Sequence, residues 1–395
     1  MDSIKVILSS NRGSYNEGSV ISSGFEMLSL EISAANNECI SGVTESNELN
    51  RFMKTHSAGF ILGYLGYELG YQSVEKKASG NKTLNDVPGV WLVAVDEKQV
   101  QKTESAPKKG PLPETKNIQL QQLVSRNKYF EKVTALKKHI QLGDVYEINY
   151  CIPFVAENVE LDPKIIWERL QQISPMPFAA FIDHPEFAII SASPERFIKK
   201  QDDQIFIQPM KGTIARGKNE EKDKRNQTQL KEDKKERAEN VMIVDLTRND
   251  LSKIAKKGSV KVDELFGVYT FKSVHQMVST VSCKVRPEIS FGEILEATFP
   301  MGSMTGAPKK RAMQLIEEYE DFARGPFSGM LGYMEPGGNF DFSVMIRTIF
   351  YSKREKKLFM AVGSAITSGS DVEKEYEECL IKLQPLLQAL NATII

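Results

Sequence analysis

The chain has 395 residues, of which 41% are hydrophobic and 26% are charged, and its formal net charge is −1. These proportions are typical of a folded globular protein, and the length suffices for two or three domains or for one large α/β body with an appended lobe. A nearly neutral chain lacks the excess of Lys and Arg that a nucleic-acid surface needs, so we expect no nucleic-acid partner.

The cysteines and the apolar runs predict the cellular localisation of the protein. Cys39, Cys151, Cys283 and Cys379 are far apart and have no histidine at the spacing of a zinc site, which is typical of reduced thiols. The first residues form too short an apolar run for a signal peptide, and no run of about 18 apolar residues occurs. We therefore expect a cytoplasmic protein without membrane contact.

Residues 1–118 are predicted to form an N-terminal subdomain that ends in a linker. Within it, residues 60–71 and 90–95 have the apolar and aromatic composition of strands. Residues 97–117 turn polar and Pro-rich, and such a composition cannot bury enough apolar surface to order itself. The remaining residues, 119–395, are predicted to form the domain that carries the chemistry.

The first predicted elements of residues 119–395 precede a candidate catalytic carboxylate, that of Glu195. Apolar spacing predicts a helix over 129–142, a strand over 145–151 and a short helix over 167–173. Residues 178–182 and 187–192 then predict a hairpin. The hairpin is followed by Pro194, which cannot continue a strand, and this places the carboxylate of Glu195 beside the strand end.

The next candidate is a lysine at the end of a predicted strand over 204–207. Pro209 removes a backbone donor and is expected to end the ladder, and Lys211 follows at once beside Gly212 and the hydroxyl of Thr213. If partly desolvated, this amine would lose its proton more easily and could act as a nucleophile or base. The alternative is a solvated lysine, like most of the 51 Lys and Arg of the chain.

Two predicted helices each carry a pair of glutamates three residues apart, at the point where the helix turns apolar. Glu236 and Glu239 are on the helix over 236–246, and Glu375 and Glu378 are on the helix over 372–390. Like charges facing a core are unfavourable unless a cation lies between them, and a shared Mg²⁺ would satisfy both pairs. The alternative is two ordinary solvated helix faces.

The last third of the chain adds one histidine and several cationic residues. His275 lies on a strand predicted over 274–281, where a single His is more often structural than catalytic. Residues 299–309 are Gly-rich, but Pro308 precedes Lys309 and no Ser or Thr follows, which excludes a Walker A nucleotide site.

Three strands are predicted to close an antiparallel sheet over 329–334, 340–351 and 358–367. They carry Tyr333, Arg347 in mid-strand, and the small-residue run that begins at Gly363. Lys382, one turn beyond Glu378, adds a second permanent positive charge. Together these residues predict a Mg²⁺-dependent site for a small polyanion, with Lys211 as nucleophile and Glu195 as acid.

Seven motifs, in order from about residue 120 to 390, resemble those of the chorismate-utilising enzyme family. They are residues 143–149 (Gly-Asp-Val-Tyr-Glu-Ile-Asn), 193–197 (Ser-Pro-Glu-Arg-Phe), 209–213 (Pro-Met-Lys-Gly-Thr), 243–251 (Ile-Val-Asp-Leu-Thr-Arg-Asn-Asp-Leu), 306–309 (Gly-Ala-Pro-Lys), 346–348 (Ile-Arg-Thr) and 375–378 (Glu-Tyr-Glu-Glu). The resemblance implies an α/β (α+β) fold of two facing antiparallel sheets flanked by helices, with the active site between the sheets.

One position separates the chemistries within this family. Members that make anthranilate or isochorismate carry Ala in the Pro-x-x-Gly-Thr/Ser segment, whereas members that aminate chorismate at C4 carry Lys, as here at Lys211. The resemblance implies that Lys211 attacks C2 of chorismate while the C4 hydroxyl leaves, that Glu195 protonates this hydroxyl, and that ammonia then adds at C4. His275 would lie against the substrate.

The product would be 4-amino-4-deoxychorismate, on the route to p-aminobenzoate and folate. The ammonia would come from a separate glutamine amidotransferase, because the chain shows no Cys-His glutaminase segment. Two other functions are less consistent with the sequence. Lys211 disfavours anthranilate formation, and a catalytically silent chorismate-binding or regulatory subunit would need neither Lys211 nor the two glutamate pairs.

The resemblance also implies the ligand contacts. Glu239 and Glu378 would bind Mg²⁺ directly, and Glu236 and Glu375 would bind it through water. The enolpyruvyl carboxylate would be bound by Tyr333, Arg347 and the backbone at Gly363, with Thr213 and Lys382 nearby.

The chain departs from the family at two places. Aminating members usually carry Gln, and isochorismate-forming members a water-activating Lys, where this chain has Glu147. The family's Gly-Gly-Gly-Ile stretch is here Gly-Ser-Ala-Ile from Gly363, and the added side-chain atoms should tighten that wall of the site.

Overall fold

The computed structural model describes residues 3–9, 28–33, 37–42, 46–74, 84–102, 111–112, 114–271 and 274–395. Part of the Pro-rich segment predicted as a linker, residues 103–110 and Pro113, lies outside the described residues. Within the described residues, no helix combines the length and hydropathy that a membrane crossing requires.

The α-helices of the described residues are α1 (Ser46–Thr55), α2 (Arg126–Gln141), α3 (Pro163–Ile173), α4 (Glu220–Glu232), α5 (Lys234–Ser252), α6 (Phe291–Thr298), α7 (Lys309–Tyr319) and α8 (Val372–Leu390). Short 3-10 helices cover Tyr67–Val74, Glu97–Gln99 and Gly302–Met304.

The strands are β1 (Ser3–Ser9), β2 (Leu28–Ser33), β3 (Cys39–Ser41), β4 (Phe60–Leu65), β5 (Val90–Val95), β6 (Gln101–Lys102), β7 (Ile118–Gln122), β8 (Glu147–Ala156), β9 (Phe178–Asp183), β10 (Phe187–Ser193), β11 (Arg196–Gln201), β12 (Gln204–Ile207), β13 (Met210–Ala215), β14 (Lys261–Thr270), β15 (Val274–Lys284), β16 (Gly306–Ala307), β17 (Met330–Met334), β18 (Phe340–Val344), β19 (Thr348–Ser352), β20 (Lys357–Thr367) and β21 (Ala392–Ile394).

These strands form two large sheets. The first sheet has the order β21-β7-β8-β20-β19-β10-β9-β1-β2-β6, with β16 beside β8. The second has the order β13-β15-β12-β11-β18-β17-β4-β5-β3, with β14 beside β15. Neighbouring strands are antiparallel except for the parallel pair of β21 and β7. This confirms the predicted α/β class with antiparallel sheets.

The two sheets face each other across a shared apolar core. Phe187 and Ile189 of β10 in the first sheet belong to the same buried cluster as Tyr64 and Trp91 of the second. The alternate residues of β10, Ala188 and Ile190, join another cluster that includes α3 and α8. Because side chains alternate along a strand, the first sheet is buried on both faces, by the second sheet and by helices.

Side-chain caps fix where the helices of the later site begin. The Asp233 carboxylate accepts from the backbone N–H groups of Lys235 and Glu236 and starts α5. Asp371 does the same for Glu373 and Lys374 at the start of α8. Capping satisfies donors that have no partner within the helix. Both glutamate pairs therefore sit in the first two turns of a capped helix.

The structure corrects the prediction of one strand over 340–351. β18 ends at Val344 and belongs to the second sheet, whereas β19 begins at Thr348 and belongs to the first. Arg347 lies between them with φ of 52°, in the left-handed region that interrupts a strand. Arg347 therefore occupies a crossover between sheets, not the middle of a strand.

A second correction concerns the segment after Pro209. The ladder does not end there, since β13 begins at Met210 and pairs with β15 through a register shift between Met210 and Thr213. Gly212, with φ of 84°, takes the conformation that this bulge needs.

The N-terminal strands take part in both sheets. β1 pairs with β9 of the first sheet, and β4 pairs with β17 of the second. The domain boundary at residue 118 stays a prediction, and the described strands on its two sides share their sheets.

A buried arginine ties the loop before α7 to β8. Arg324 donates to the Glu320 carboxylate at 2.7 and 2.8 Å, to the carbonyl of Met304 at 2.7 Å and to that of Asn149 at 3.2 Å. Its guanidinium also lies 4.5 Å from the centre of the Tyr67 ring. Only 2% of either charged side chain is exposed, so each charge depends on the other.

We expect Arg324→Met to lower the free energy of unfolding by about 3–5 kcal/mol, because it leaves the Glu320 charge buried and unpaired. Urea unfolding followed by circular dichroism measures this. The matched control is Lys224→Met in the exposed pair with Glu220, where we expect a loss of under about 0.5 kcal/mol. Equal losses in the two variants would contradict the importance of the buried network.

Candidate active site

A buried ion pair joins the two sheets. Lys211 is the second residue of β13 in the second sheet, and Glu147 is the first residue of β8 in the first sheet. The Lys211 Nζ lies 2.5 Å from the Glu147 Oε1, and the two side chains are only 9% and 1% exposed. Glu147 Oε2 is buried without a hydrogen-bond partner among the described residues. The alternative of a solvated Lys211 is therefore wrong.

The charge state of Lys211 differs from the sequence expectation. Burial alone would lower the pKa of the amine, but the negative charges of Glu147, Glu239 and Glu195 outweigh burial and raise the pKa above its usual value. The amine is therefore held as an ammonium ion until a neighbouring carboxylate accepts its proton. The expectation of a readily deprotonated lysine is corrected, because it considered desolvation without the carboxylates that only the fold brings near.

Glu195 lies in the crossover that takes the chain from β10 in the first sheet to β11 in the second. Its side chain is buried, and burial raises the pKa of its carboxyl to about 7, although the Ser303 hydroxyl and the charge of Lys211 oppose this rise. A carboxyl with a pKa near neutrality can both give and take a proton. The predicted acid and the predicted lysine are thus close enough to influence each other's charge.

The crossovers that carry Glu195 and Arg347 are hydrogen-bonded to each other's strands. Val344 N donates to the carbonyl of Glu195, and Ala192 N donates to the carbonyl of Arg347, both at 3.0 Å. The Arg347 guanidinium is withdrawn from solvent, and burial lowers its pKa against the opposing charge of Glu378. Among the described residues it has no hydrogen-bond partner, so it is free to bind an anionic ligand.

The two glutamate pairs come together across the starts of α5 and α8. Lys235 Nζ lies 3.1 Å from Glu375 Oε1 and 3.7 Å from Glu239 Oε1, and thereby links the two helices. Glu239 is buried, and no described residue hydrogen-bonds its Oε1. Burial raises the pKa of its carboxyl to about 7 despite Lys211 and Lys235. Burial also raises the pKa of Glu236.

Lys382 links α8 to β20 beside the glutamate pairs. Its Nζ donates to the carbonyl of Gly363 on β20 at 3.0 Å and lies 2.7 Å from Glu378 Oε1. Burial would raise the pKa of Glu378, but Lys382 reverses the shift and keeps this pKa below its usual value. Within the described residues, no three acidic, His or Cys side chains converge as metal ligands. Lys235 and Lys382 contact these carboxylates instead.

The structure corrects the assignment of His275. Its Nε2 lies 2.9 Å from Asp223 Oδ1 of α4, and its Nδ1 lies 2.9 Å from the Thr270 hydroxyl. The ring is fully buried in this cluster. His275 is thus held against α4, while its neighbour in the strand, Gln276, faces the opposite side. This placement contradicts the expectation that His275 lies against the substrate.

Gln276 is a site residue that the sequence reasoning missed. It pairs with Thr213 of β13, and its Nε2 lies 3.4 Å from the Thr213 hydroxyl. Its Oε1 is buried without a hydrogen-bond partner among the described residues. Strand alternation could have separated His275 from Gln276, but only the pairing register says which of the two shares a face with Thr213.

Tyr333, a predicted ligand contact, lies in a strand of the second sheet. It is buried in β17, opposite Asp341 of β18 and Leu62 of β4. Its role and those of Thr213 and Gly363 as ligand contacts stay predictions. The sequence showed Glu147 only as a departure from the family. An acidic residue among the apolar residues of β8 could have indicated that it has a cationic partner, which is Lys211.

Comparisons with known proteins agree with this geometry. A family model described as chorismate binding enzyme matches residues 7–388. The aminodeoxychorismate synthase component 1 of Klebsiella aerogenes is 34% identical over 355 residues, which is 85% of this chain and 78% of the relative. The protein of the same name from Escherichia coli (strain K12) is 34% identical over 355 residues, 84% of this chain and 77% of the relative.

A solved structure with a similar fold is anthranilate synthase component I from Streptococcus pneumoniae. It has a TM-score of 0.75 at 23% identity and covers 98% of this chain and 92% of its own. At this identity the likeness establishes the fold, and it confirms the two-sheet architecture described above.

We expect Glu147→Gln to lower the pKa of the Lys211 amine, because an opposite charge at contact distance favours the ammonium form and the amide removes that charge. Carbon-13 NMR of the reductively methylated protein, titrated with pH, measures this value. Lys211→Arg assigns the resonance, and Glu232→Gln in α4 is the matched control. An unchanged pKa in Glu147→Gln would show that Glu147 does not hold the proton on Lys211.

Proposed function

The chain belongs to the chorismate-binding enzyme family, and from this premise we propose that it aminates chorismate at C4 to give 4-amino-4-deoxychorismate. It is an enzyme of this family, with relatives named aminodeoxychorismate synthase component 1 over most of its length. The observation that carries the proposal is the buried lysine between two carboxyls. Lys211 is paired with Glu147 at 2.5 Å and lies close to Glu195.

In the proposed reaction Lys211 acts as the nucleophile. Its ammonium gives a proton to Glu147, which is in hydrogen-bond contact with it, and the neutral amine then bonds to C2 of chorismate. The C1–C2 double bond moves to C1–C6, the C5–C6 double bond moves to C4–C5, and the C4 hydroxyl leaves with its bonding electron pair. Glu147 in place of an amide therefore supplies a proton acceptor next to a lysine whose pKa is raised.

Glu195 acts as the general acid in this step. Its pKa of about 7 keeps a large share of the carboxyl protonated at neutral pH, and that proton leaves with the C4 hydroxyl as water. Ammonia then bonds to C4, both ring double bonds move back to their original positions, and Lys211 leaves C2 as an amine. The Glu195 carboxylate takes the proton that the new amino group loses, which restores the acid.

Positive charge around this centre would hold the substrate's two carboxylates. Arg347 has no hydrogen-bond partner among the described residues, and Lys382 lies between Glu378 and the carbonyl of Gly363. Gln276 replaces His275 as the contact from β15, since its Oε1 is unsatisfied and shares the Thr213 side of the strand. An enolpyruvyl carboxylate would bind Arg347 as a charge-assisted pair.

Mg²⁺ is proposed as the cofactor. To bind it, the carboxylates of α5 and α8 would have to exchange their contacts with Lys235 and Lys382 for the ion, because among the described residues no three acidic side chains converge as ligands. The acidic side chains of α5 and α8 offer hard oxygen ligands, and the buried Glu239 Oε1 has no hydrogen-bond partner that a cation would have to displace. Glu239 and Glu378 would hold the ion directly, with Glu236 and Glu375 behind water. The ion would neutralise the ring carboxylate of chorismate.

The proposed ammonia source is a separate glutamine amidotransferase, as the words "component 1" in the relatives' names suggest. In that arrangement this chain is the synthase subunit on the route to p-aminobenzoate and folate. Anthranilate formation and a silent chorismate-binding subunit are the competing outcomes of the assay below.

The deciding experiment is product identification. Purified protein with chorismate, Mg²⁺ and ammonium should give 4-amino-4-deoxychorismate by liquid chromatography and mass spectrometry. Anthranilate or isochorismate as the product would replace the proposal, and no turnover in the presence of tight chorismate binding would favour the silent subunit.

Without ammonia, we expect chorismate to become attached to Lys211, because the first half of the reaction can proceed and the second cannot. Peptide mass spectrometry locates the added mass. Lys211→Ala should abolish it while retaining chorismate binding, and Glu195→Gln should slow its formation roughly 10²- to 10⁴-fold. The exposed Lys224→Ala serves as control. Wild-type amination by Lys211→Ala would disprove the covalent route.

We expect Glu239→Gln to weaken divalent-metal binding about tenfold or more, because it removes a buried charged ligand. Electron paramagnetic resonance with Mn²⁺ in place of Mg²⁺ measures binding without reference to activity. Glu232→Gln, an exposed acid on α4, is the control and should bind Mn²⁺ as the wild type does. Identical binding by both variants would remove Glu239 from the metal site.

A further inference from the structure

A small cavity borders Glu195 and is not used by the proposed chemistry so far. It lies between α5, the end of α6 and the 3-10 turn Gly302–Met304. Its lining residues are Glu195, Arg196, Phe197, Ile207, Pro209, Ile243, Thr247, Asp250, Thr298, Met301, Gly302 and Ser303. It has room for a molecule the size of water or ammonia and none for a substrate ring.

Most polar groups in its wall are already satisfied. The Thr247 hydroxyl donates to the carbonyl of Ile243 at 2.8 Å, and the Thr298 hydroxyl donates to that of Ile294 at 2.7 Å. The Asp250 carboxylate accepts from Lys253 at 3.0 Å and from Lys309 at 2.6 Å. None of these side chains needs a ligand.

Ser303 is the exception. It is only 8% exposed, and no described residue donates a hydrogen bond to its Oγ. Its hydroxyl is the hydrogen-bond donor that opposes the rise of the Glu195 carboxyl's pKa, so the oxygen lone pairs of Ser303 are what remain unsatisfied. A buried hydroxyl without a partner is unfavourable unless a small polar molecule satisfies it. The cavity therefore places one unsatisfied acceptor beside the proposed general acid.

We propose that this cavity is the ammonia-binding site, an inference that rests on the proposed function. Ammonia has three N–H donors, and Ser303 Oγ and the Glu195 carboxylate are the acceptors that the wall offers. The match is closest after Glu195 has given its proton to the leaving hydroxyl, because the carboxylate then needs a donor. Ammonia held there is next to the group that takes the proton released when the C4–N bond forms.

The wall also limits the size of the ligand. Phe197, Ile207, Ile243 and Met301 are apolar and buried, and the remaining space is that of a single small molecule. The cavity thus excludes larger amines.

Gly302 marks the side from which ammonia enters. It is partly exposed, whereas the other lining residues are buried. A Cβ at this position would lie 2.8 Å from Leu246 Cδ2 and 3.9 Å from Ile243 Cγ2, both on α5. A larger side chain at residue 302 would therefore fill the gap between the turn and α5.

The test compares Gly302→Val, which narrows the entrance, with Ser303→Ala, which removes one acceptor and no space. Each should raise the KM for ammonia about tenfold, the effect of about one hydrogen bond or one lost contact surface. The KM for chorismate should stay within about twofold of wild type in both variants. The rate of Lys211 attachment without ammonia should do so in Gly302→Val, which leaves the Ser303 hydroxyl beside Glu195. Gly369→Val is the matched control, since nothing lies within 4 Å of a Cβ there.

The outcomes separate this inference from the proposed function. If the wild type aminates chorismate and both variants keep its KM for ammonia, the cavity is not the ammonia site. If both variants also lose Lys211 attachment, the residues act on the first half-reaction and the inference is equally overturned. If the wild type forms no aminated product, the proposed function has failed, and the inference fails with it. Circular dichroism verifies that Gly302→Val is folded.

Discussion

The Lys211–Glu147 ion pair is the interaction on which the site depends, because its two members come from different sheets. A buried pair of this kind contributes little net stability, since desolvating both charges offsets most of their attraction. Its position is better explained by chemistry. The sheets must face each other in a fixed register for the amine of β13 to meet the carboxylate of β8, and in that register the lysine keeps its proton beside an acceptor.

Two other proposed site residues lie where the chain passes from one sheet to the other. Glu195 lies between β10 and β11, and Arg347 lies between β18 and β19. Reciprocal backbone hydrogen bonds at 3.0 Å join the two crossovers. At such points backbone and side chains leave the ladder, so polar groups can face the space between sheets without breaking strand pairing. The apolar cores on both sides of the first sheet hold these crossovers in place.

The remaining wall of the site consists largely of paired lysines and carboxylates. Lysines 211, 235 and 382 each contact a carboxylate of α5, α8 or β8. Among the described residues, the buried atoms without a hydrogen-bond partner include oxygens of Glu147, Glu239, Gln276 and Ser303. Unsatisfied buried oxygens cost stability unless a ligand supplies a donor or a cation. The same site therefore has reason to bind a metal ion at one side, a dicarboxylate in the middle and ammonia beyond Glu195, as proposed.

The sequence by itself determined the elements and the chemistry-bearing residues. Residues 372–390 form a helix as their periodicity predicts, and residues 178–192 form a hairpin. Lys211, Glu195 and the pair Glu375 and Glu378 stand in motifs that resemble those of the family. These signals are local, because periodicity, caps and prolines act within a few residues. Only the tertiary structure decided that residues 340–351 divide between two sheets, that Gln276 and not His275 shares a face with Thr213, and that three carboxylates raise the pKa of Lys211. Each of these depends on groups that are distant in sequence, and no local pattern encodes which of them meet.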